Sequence, residues 1–280
     1  MKRFHGSAAI LIISTILDNA TPAFAQGSLT PPGAPAPTFK TLSQVEPRFP
    51  IADYQTNLTI SGSYYLVTNL FSTTNTNDGI NIRTNVRNIT IDLNGFSIIN
   101  TNGAGSSSPV GVRVSEGTNV VIRNGQIIGF DRGVRAEGLF YGIVCENLHI
   151  RACRRAGIEA NGVVGDGSQT MTVRDCIVKG MDGTGEATSV TVDGITLLNC
   201  SAVVQNCIVR DIVAAGTGIA NCIDAQNITN SIVDNNLFSN ADVGLKVVGG
   251  GTRLYYRNNI TAGIATPFSS SGGVDRGGNF

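Results

Sequence analysis

One repeated stretch of about 22 to 26 residues limits what this chain can fold into more than any other feature. Each copy reads Gly, apolar, variable, apolar or small, then a loop, a short β-branched run, Asn or Asp, and another apolar pair. The copies open at Gly79, Gly111, Gly133, Gly157, Gly194, Gly218 and Gly244. The intervals before Gly111 and Gly194 are longer than the others, so we interpret them as containing insertions. Such a repeat predicts stacked units that bury their apolar side chains only against one another.

Within each copy the apolar residues alternate over three to five positions and are rich in Val, Ile and Thr. Alternation of this kind, interrupted by Gly or Asn, predicts short strands, and no window has the 3.6-residue spacing of a helix. Two or three short strands per repeat indicate an all-β parallel β-solenoid of about seven to eight coils. Equivalent side chains should then stack at the strand separation of about 4.8 Å.

A polar residue occupies the same place in the second half of every copy. Aligning the copies gives the column Asn94, Asn124, Asn147, Asp175, Asn206, Asn235 and Asn258. Asn tolerates the left-handed backbone conformation of a tight bend, and stacked amides can hydrogen-bond to one another along the solenoid axis. Asp175 interrupts the amides, and we expect Arg174 to be its counter-charge.

These repeats resemble the right-handed parallel β-helix family, the pectin-lyase-like superfamily. In that comparison "GINI" and "GVRV" are first strands of a coil, "NITID" and "TNVVIR" second strands, and "GFSII" and "CIVK" third strands. The resemblance covers residues 58–262 and implies a single-stranded β-helix whose first-strand face holds a polysaccharide cleft. It does not imply one activity, because the fold hosts lyases, hydrolases, epimerases and adhesins.

The two ends of the chain differ from the repeats. Residues 1–25 are predicted to be a signal peptide, because Lys2 and Arg3 precede an apolar run and Ala23 and Ala25 match a cleavage site. Residues 26–40 form a Pro-rich arm, and residues 41–57 an N-terminal cap that could include one helical turn. The arm also resembles the leader of a set of secreted bacterial β-helix proteins. Residues 263–280 have no strand pattern and are expected to be a tail or thin cap.

Charge and composition exclude several classes of partner. The chain has 20 Lys and Arg against 20 Asp and Glu, which argues against binding to nucleic acid or to an anionic membrane. The apolar run near the N-terminus is too short for a membrane span, and none of the later runs is longer. We therefore predict a secreted or periplasmic protein that does not insert into a membrane.

The cysteines allow two interpretations. Cys176 and Cys207 directly follow the Asn column in successive copies, so they could stack inside the solenoid as small apolar side chains. Their predicted separation also permits a disulfide. The pattern of bonds among Cys145, Cys153, Cys176, Cys200, Cys207 and Cys222 is left open by the sequence. A zinc site is not expected, because there is no Cys-x-x-Cys pair and His149 is the only histidine beyond the signal peptide.

The candidate binding site lies in the first strands, where the residue after the apolar position should face outward. That column is predicted to contain Asn81, Arg113, Arg135, Glu159, Thr196, Ala220 and Lys246. Arg113, Arg135 and Glu159 would lie in a row that matches the pitch of a sugar chain, and guanidinium groups suit uronate carboxylates. The alternative is that Arg135 and Glu159 form only an exposed ion pair.

A second polar face is expected at the ends of the third strands. It comprises Arg151, Arg154, Arg155, Lys179, Arg210 and Asp211, which could bind an acidic glycan or form a solvated edge. His149 is interpreted as structural. No cofactor is predicted, although Asp166, Asp182, Glu186 and Asp193 in and beside the Gly-rich insertions could hold Ca²⁺.

The sequence leaves two functions open. The first is a secreted β-helix that recognises an extended polysaccharide along the first-strand face, by binding it or, as the second option, by cleaving it. The arginines of the row would suit an acidic polysaccharide. The second is a non-enzymatic structural or surface-interaction protein that presents loops on a rigid solenoid. No catalytic residues are assigned, because the paired Asp and Gly-His-Gly of the hydrolases and the Asp-Pro-x-Asp of the epimerases are absent. Polysaccharide lyase-like chemistry remains the enzymatic alternative.

Overall fold

The computed structural model describes residues 46–72, 74, 76–102, 108–165, 167–186, 188–249 and 253–280. Its regular secondary structure consists of 23 strands, β1 to β23, that wind into about eight coils. The strands form three parallel sheets, each with one strand from every coil. The predicted all-β parallel solenoid is therefore confirmed. In this part of the chain no helix is long and apolar enough to cross a membrane.

Sheet I contains the first strand of each coil. Its members are β2 (Thr56–Leu58), β5 (Ile80–Ile82), β8 (Val110–Ser115), β10 (Arg132–Gly138), β12 (Ala156–Gly162), β15 (Val192–Leu198), β18 (Ala220–Gln226) and the second halves of β20 (Leu237–Val248) and β22 (Ile260–Ser270).

Sheet II contains the second strands. Its members are β1 (Phe49–Ile51), β3 (Gly62–Leu66), β6 (Arg87–Asp92), the first halves of β9 (Thr118–Ile128) and β11 (Tyr141–Arg151), β13 (Thr170–Arg174), β16 (Ser201–Gln205), β19 (Ser231–Asp234), β21 (Leu254–Arg257) and β23 (Gly273–Asp275).

Sheet III contains the third strands. Its members are β4 (Leu70–Ser72), β7 (Ser97–Asn100), β14 (Ile177–Asp182), β17 (Ile208–Val213), the second halves of β9 and β11 and the first halves of β20 and β22. The strands assigned from the repeat therefore fall in the expected sheets. The interior between the sheets holds aliphatic stacks, of which one in sheet I is Val112, Val134, Ile158, Ile195, Ile223 and Leu245. Burial of each such side chain contributes about 1.5 to 3 kcal/mol.

The Gly that opens each repeat is required by close packing between coils. A Cβ at Gly111 would lie 2.6 Å from the Gly133 carbonyl oxygen, and the same approach recurs along the column. Gly218 is not a member, contrary to the alignment. Cys222 takes the place, because its carbonyl oxygen faces Gly194, whereas Gly218 belongs to the turn in which its N–H donates to Ala215.

The predicted polar column forms the bend between sheets II and III. All seven members have positive φ angles, between 51° and 62°. Asn147 Nδ2 donates to Asn124 Oδ1 over 3.0 Å, and Asn235 Nδ2 donates to Asn206 Oδ1 over 2.9 Å. Asp175 accepts from Asn206 at 3.1 Å. Arg174 makes its ion pair with Glu146 on the neighbouring coil, and the expected attraction between Arg174 and Asp175 is a smaller contribution.

A second polar column, buried directly behind the first, escaped sequence analysis. Asn236 Nδ2 donates to Asn259 Oδ1 over 2.9 Å, and Asn259 Nδ2 donates to Asn279 Oδ1 over 3.0 Å. Cys207 occupies the same column one coil earlier, where its backbone N–H donates to Asn236 Oδ1. These buried amides satisfy one another, so the column adds hydrogen bonds without leaving polar groups unpaired.

All six cysteines are buried with free thiols. Burial raises the pKa of the Cys153, Cys200 and Cys222 thiols to about 12, which keeps them protonated and unreactive. The interpretation of the cysteines as small apolar side chains of the interior agrees with this arrangement.

The ends contain more strand than expected. Residues 263–280, predicted to have no strands, include the second half of β22 and all of β23, which pair with β20 and β21. The prediction failed because residues 263–280 contain many Ser and Gly and no regular apolar alternation, so these strands are recognised only by their backbone pairing. In the cap range, β1 pairs with β3 through Phe49 and Tyr64. Residues 1–45, including the predicted signal peptide, the arm and the helical turn before Pro47, lie outside the described residues.

Candidate functional site

The outward column of sheet I runs across the whole solenoid. Its registered members are Asn57, Asn81, Arg113, Arg135, Glu159, Thr196, Asp224, Lys246 and Ser269. Arg113, Arg135 and Glu159 therefore lie in the row that the sequence predicts. Ala220 is not a member, because it pairs with Val192, and Asp224 takes its place. This correction brings a buried carboxylate into the row.

Arg113 is enclosed by carboxylates of its own chain. Its Nε lies 2.6 Å from Asp78 Oδ2, and its Nη1 lies 2.8 Å from Glu137 Oε1. Two carboxylates already occupy this guanidinium fork, so it is not free to receive a carboxylate from a ligand without breaking an existing pair.

Arg135 and Glu159 belong to the same network. Arg135 Nε lies 2.9 Å from Glu159 Oε1, and Arg135 Nη2 lies 3.2 Å from Glu137 Oε2. Glu159 also binds Arg132, which in turn binds Asp131. Glu159 is only 6% exposed, so the pair is half-buried and more firmly held than the exposed ion pair considered from sequence.

From Arg135 onward the outward column lines a polar groove of about 420 Å³. We call it the sheet I groove. Its lining residues are Arg132, Arg135, Arg155, Ala156, Glu159, Asn161, Thr191, Asp193, Thr196, Leu198, Asp224, Gln226 and Lys246. These come from β10, β12, β15, β18 and β20, so the groove crosses five successive coils. Its elongated shape follows from the stacking of the strands.

Two carboxyl groups at the base of the groove differ in their environments. The pKa of Asp193 is raised to about 6, chiefly by burial and also by the negative charge of Asp224, against the opposing effect of hydrogen bonds from Asn221 and Thr196. Asp224 is 2% exposed and accepts from Lys246 Nζ at 2.9 Å and from Gln226 Nε2 at 3.0 Å. Asp193 can therefore hold a proton near neutral pH beside a carboxylate that is paired with a cation.

Two buried acceptors in this region have no hydrogen-bond donor in the described part of the chain. They are Asp224 Oδ1 and Asn221 Oδ1. A buried acceptor without a partner is costly, and of the two residues only Asp224 lines the groove.

The residues considered for Ca²⁺ do not meet at one place. Asp182 accepts from the backbone and the hydroxyl of Thr184 in a turn, Glu186 binds Arg154 at 2.9 Å, and Asp193 lies in the sheet I groove. Asp166 lies outside the described residues. Within the ranges that are described, no group of three or more His, Cys, Asp and Glu side chains could hold a metal ion.

The second predicted polar face divides into two parts. Arg151, Lys179 and Arg210 are registered neighbours on sheet III. Arg154 and Arg155 instead turn to the corner before sheet I, where both lie close to Asp131 and Glu186. Only the first three cations therefore form the expected row.

Sequence reasoning missed Asn161, Asp193, Asp224 and Gln226. Asn161 and Gln226 stand two residues after Glu159 and Asp224 on their strands, so the same alternation that gives the first outward column could have found them. The alternation could not have placed Asp193 in the groove. Strict alternation places it with the inward Ile195, and only the fold brings it to the groove.

Comparison with known proteins gives structural neighbours only. No family model and no curated protein matches the chain. Pectate lyase Pel9A superposes with a TM-score of 0.56 at 11% identity, over 81% of this chain and 68% of that one. The catalytic domain of a GH87 α-1,3-glucanase, in complex with tetrasaccharides, has a TM-score of 0.36 at 9% identity, covering 83% of this chain and 64% of that one. Tailspike protein 2 from Escherichia coli O157:H7 bacteriophage CAB120 has a TM-score of 0.36 at 11% identity, covering 84% and 39%.

The chain thus spans about two thirds of Pel9A and a smaller part of the other two proteins. At these identities the likeness concerns the backbone alone. The stacked coils, the three parallel sheets and the superposition on Pel9A together establish that this chain has the pectin-lyase-like β-helix fold.

Proposed function

We propose that the protein binds an extended polysaccharide in the sheet I groove. The observation that supports this most is the uninterrupted polar groove across five coils, whose repeat of about 4.8 Å suits successive sugar units of a chain lying along the solenoid axis. One structural neighbour, Pel9A, is a pectate lyase, which is consistent with a carbohydrate ligand on this fold.

The groove favours a ligand rich in hydroxyl groups over one that is densely charged. Arg113 and Arg135 are already paired with Asp78, Glu137 and Glu159. The amides of Asn161 and Gln226 and the unpartnered Oδ1 of Asp224 are suitable partners for sugar hydroxyls. The acidic class expected from the arginine row is therefore not the class that we propose for this groove.

The test is a polysaccharide-binding assay of the protein lacking residues 1–25, first on a glycan array and then by calorimetry. The double variant Asn161→Ala/Gln226→Ala should weaken binding about tenfold, because two hydrogen bonds of about 0.5 to 1.5 kcal/mol each are lost. The matched control Thr90→Ala/Thr172→Ala changes two outward residues of sheet II and should bind normally. Equal binding by both variants would contradict the proposal.

Asp193 and Asp224 favour a second candidate, cleavage of the bound chain. A carboxyl group with a pKa of about 6 beside a second carboxyl group that is paired with a lysine is an arrangement used in general acid–base catalysis. Release of reducing ends, or of products with double-bond absorbance, should then be lost in Asp193→Asn while binding is retained. Absence of both products from every polysaccharide that binds would remove this candidate and leave a purely binding or structural protein.

We further propose that the chain is exported and cleaved after Ala25. This rests on the N-terminal sequence, with its two basic residues, apolar run and small residues at the cleavage position. Expression of the full chain in a bacterial host, followed by mass measurement of the exported form, should give a protein that begins at Gln26. Retention of Met1 in the cytosol would contradict export.

A further inference from the structure

Three cations stand in line on the outward face of sheet III. Arg151 on β11 is registered with Lys179 on β14, and Lys179 is registered with Arg210 on β17. We call these residues the sheet III basic column. Neighbouring members are separated by about one strand spacing, 4.8 Å, and like charges placed directly opposite one another destabilise a sheet.

The other charged columns of the solenoid neutralise their cations. On sheet II the registered residues are Asp92, Arg123, Glu146, Arg174, Gln205, Asp234 and Arg257, which we call the sheet II charge column. Every cation in it faces at least one carboxylate. On sheet I, Arg113 and Arg135 are registered neighbours, but both guanidinium groups are paired with carboxylates. The sheet III basic column therefore lacks the carboxylates that neutralise the cations of the other two columns.

The partners of these cations are correspondingly few. Arg210 Nη1 lies 2.9 Å from Asp211 Oδ2. Arg151 and Lys179 take part in no ion pair with any other described residue. Two neighbouring positive charges are thus left without an anion from the protein itself.

His149 lies between this basic column and an adjacent cavity. It precedes Arg151 by two residues on the same strand, so both side chains face outward. Burial lowers the pKa of His149, and the charges of Lys179, Arg151 and Arg210 lower it further. Its Nε2 is buried and has no hydrogen-bond partner in the described part of the chain. The ring is therefore neutral at pH 7 and retains an unused polar atom.

The cavity beside His149 has a volume of about 340 Å³ and lies at the bend between sheets II and III. Its polar lining comes from Asn124, Gln126, Asn147, His149 and Asp175. The amides can donate to an oxygen, and the Asp175 carboxylate can accept from a hydroxyl. A mixture of donors and acceptors next to free cations matches a sugar that has hydroxyl groups and one anionic substituent.

We propose that this face is a second carbohydrate site, which binds an acidic glycan by placing a carboxylate or sulfate group at Arg151 and Lys179 and the hydroxyl groups of the same or the next sugar in the cavity beside His149. The site lies on sheet III, whereas the sheet I groove lies on a different sheet, so binding at one does not require the other. Nucleic acid is a poorer match, because the lining residues include no Phe, Tyr or Trp ring on which a base could stack.

The test compares three ligands with the protein lacking residues 1–25: oligogalacturonate, sulfated dextran and neutral dextran. Binding of the two acidic ligands should weaken as salt is raised from about 0.05 M to about 0.5 M. The double variant Arg151→Gln/Lys179→Gln should weaken it about tenfold or more, because two charge-assisted contacts are lost. The control Arg83→Gln/Arg87→Gln removes the same charge from two exposed arginines of the second coil and should change binding by less than about twofold.

Proton NMR of His149 supplies a readout that a change in net charge alone would not give. The acidic ligand should shift the His149 resonances and raise its pKa, because the bound anion offsets the nearby cations. Neither change should occur in Arg151→Gln/Lys179→Gln. Acidic ligands that do not bind, or that bind both double variants equally, would overturn the proposal. So would a single-stranded DNA oligonucleotide that binds as tightly and shifts His149 in the same way.

The groove variant Asn161→Ala/Gln226→Ala separates this site from the proposed function. It should leave the binding of oligogalacturonate and the shift of His149 unchanged. Loss of both in the groove variant would show that the acidic ligand occupies sheet I, which would contradict the second site while supporting the first.

Discussion

Two columns of charged residues cross neighbouring faces of the solenoid, and they are built in opposite ways. In the sheet II charge column, Arg123 lies 3.2 Å from Asp92 and 3.8 Å from Glu146, and Arg257 lies 3.0 Å from Asp234. In the sheet III basic column, Arg151, Lys179 and Arg210 follow one another.

The difference distinguishes columns that stabilise the coils from columns whose charges could bind a ligand. Parallel stacking brings the same position of every coil into contact, so a column either neutralises itself or displays its charge. A column that neutralises itself stabilises the coils and offers little to a ligand. A column whose charges are not neutralised destabilises the fold by a small amount, and its charges are available for binding.

The largest effect is expected in the buried polar column, whose amide side chains hydrogen-bond to one another. Asn259→Leu should lower the free energy of unfolding by about 3 kcal/mol, because the amide of Asn236 and the carbonyl of Val233 lose their partner. Chemical denaturation measures this loss. Cys207→Ala, in the same column, leaves no polar side chain unpaired and should cost about 1 kcal/mol. Equal losses would mean that the buried amides contribute no more than packing.

The next effect concerns a carboxyl group that lacks a cation. Asp193 has a pKa of about 6 in the folded protein, above its ordinary value of 3.8. The folded state then holds the proton more tightly than the unfolded state, and the resulting stabilisation is complete below about pH 4 and lost as pH rises through about 6. The free energy of unfolding should fall by about 1 to 3 kcal/mol over this interval.

The variant Asp193→Asn provides the comparison for that pH profile. It cannot ionise, so the decrease between about pH 4 and pH 6 should be absent from its denaturation curves. Asp234 of the sheet II charge column contrasts with Asp193. Burial tends to raise the pKa of Asp234, but hydrogen bonds from Arg257 and Asn258 lower it overall. Parallel profiles for wild type and Asp193→Asn would contradict the role given to Asp193.

A smaller effect should follow when the sheet II charge column is made to resemble the sheet III basic column. Glu146→Lys places a third cation between Arg123 and Arg174. It should lower the free energy of unfolding by about 1 kcal/mol, since these side chains are partly exposed. Thermal or chemical denaturation at low salt measures the loss. Glu146→Gln is the control for removing the carboxylate and should cost less. Equal losses in the two variants would show that repulsion between neighbouring cations has no effect.

The smallest effect is expected from the opposite exchange. Lys179→Glu gives sheet III an alternating column with Arg151 and Arg210, and should raise the free energy of unfolding by about 0.5 kcal/mol at low salt. It should also abolish binding of the acidic ligand. Lys179→Gln should fall between wild type and Lys179→Glu in stability. A Lys179→Glu variant less stable than Lys179→Gln would show that the three cations do not repel one another measurably.

Much of the fold was predictable because each coil of a solenoid repeats the sequence pattern of the coil before it. The Gly of each opening, the alternating Val and Ile, and the Asn of each bend are local features, and the same three signals occur in every coil. The strands at Gly79 and Gly111 and the bends at Asn124 and Asn206 follow from them directly. Predictions failed where a local signal was ambiguous, as at Gly218, or weak, as in β22 and β23, which lie in a segment without regular apolar alternation.

The site was less predictable than the fold. The row of Arg113, Arg135 and Glu159 followed from alternation, but the pairing of these residues with Asp78 and Glu137 did not. Those partners come from other coils and from positions outside the aligned column. Asp224 entered the row only after the register of β18 was known, and Asp193 reached the groove against the alternation of its own strand.

By itself, the sequence determined that this chain forms stacked coils and which side of each strand faces the interior, because both depend on periodicity within a few residues. Tertiary structure alone decided the register of each coil against the next, and with it which charges neutralise one another and which do not. A shift of a few residues, as between Gly218 and Cys222, leaves the apolar pattern nearly unchanged but gives every outward side chain new neighbours about 4.8 Å away.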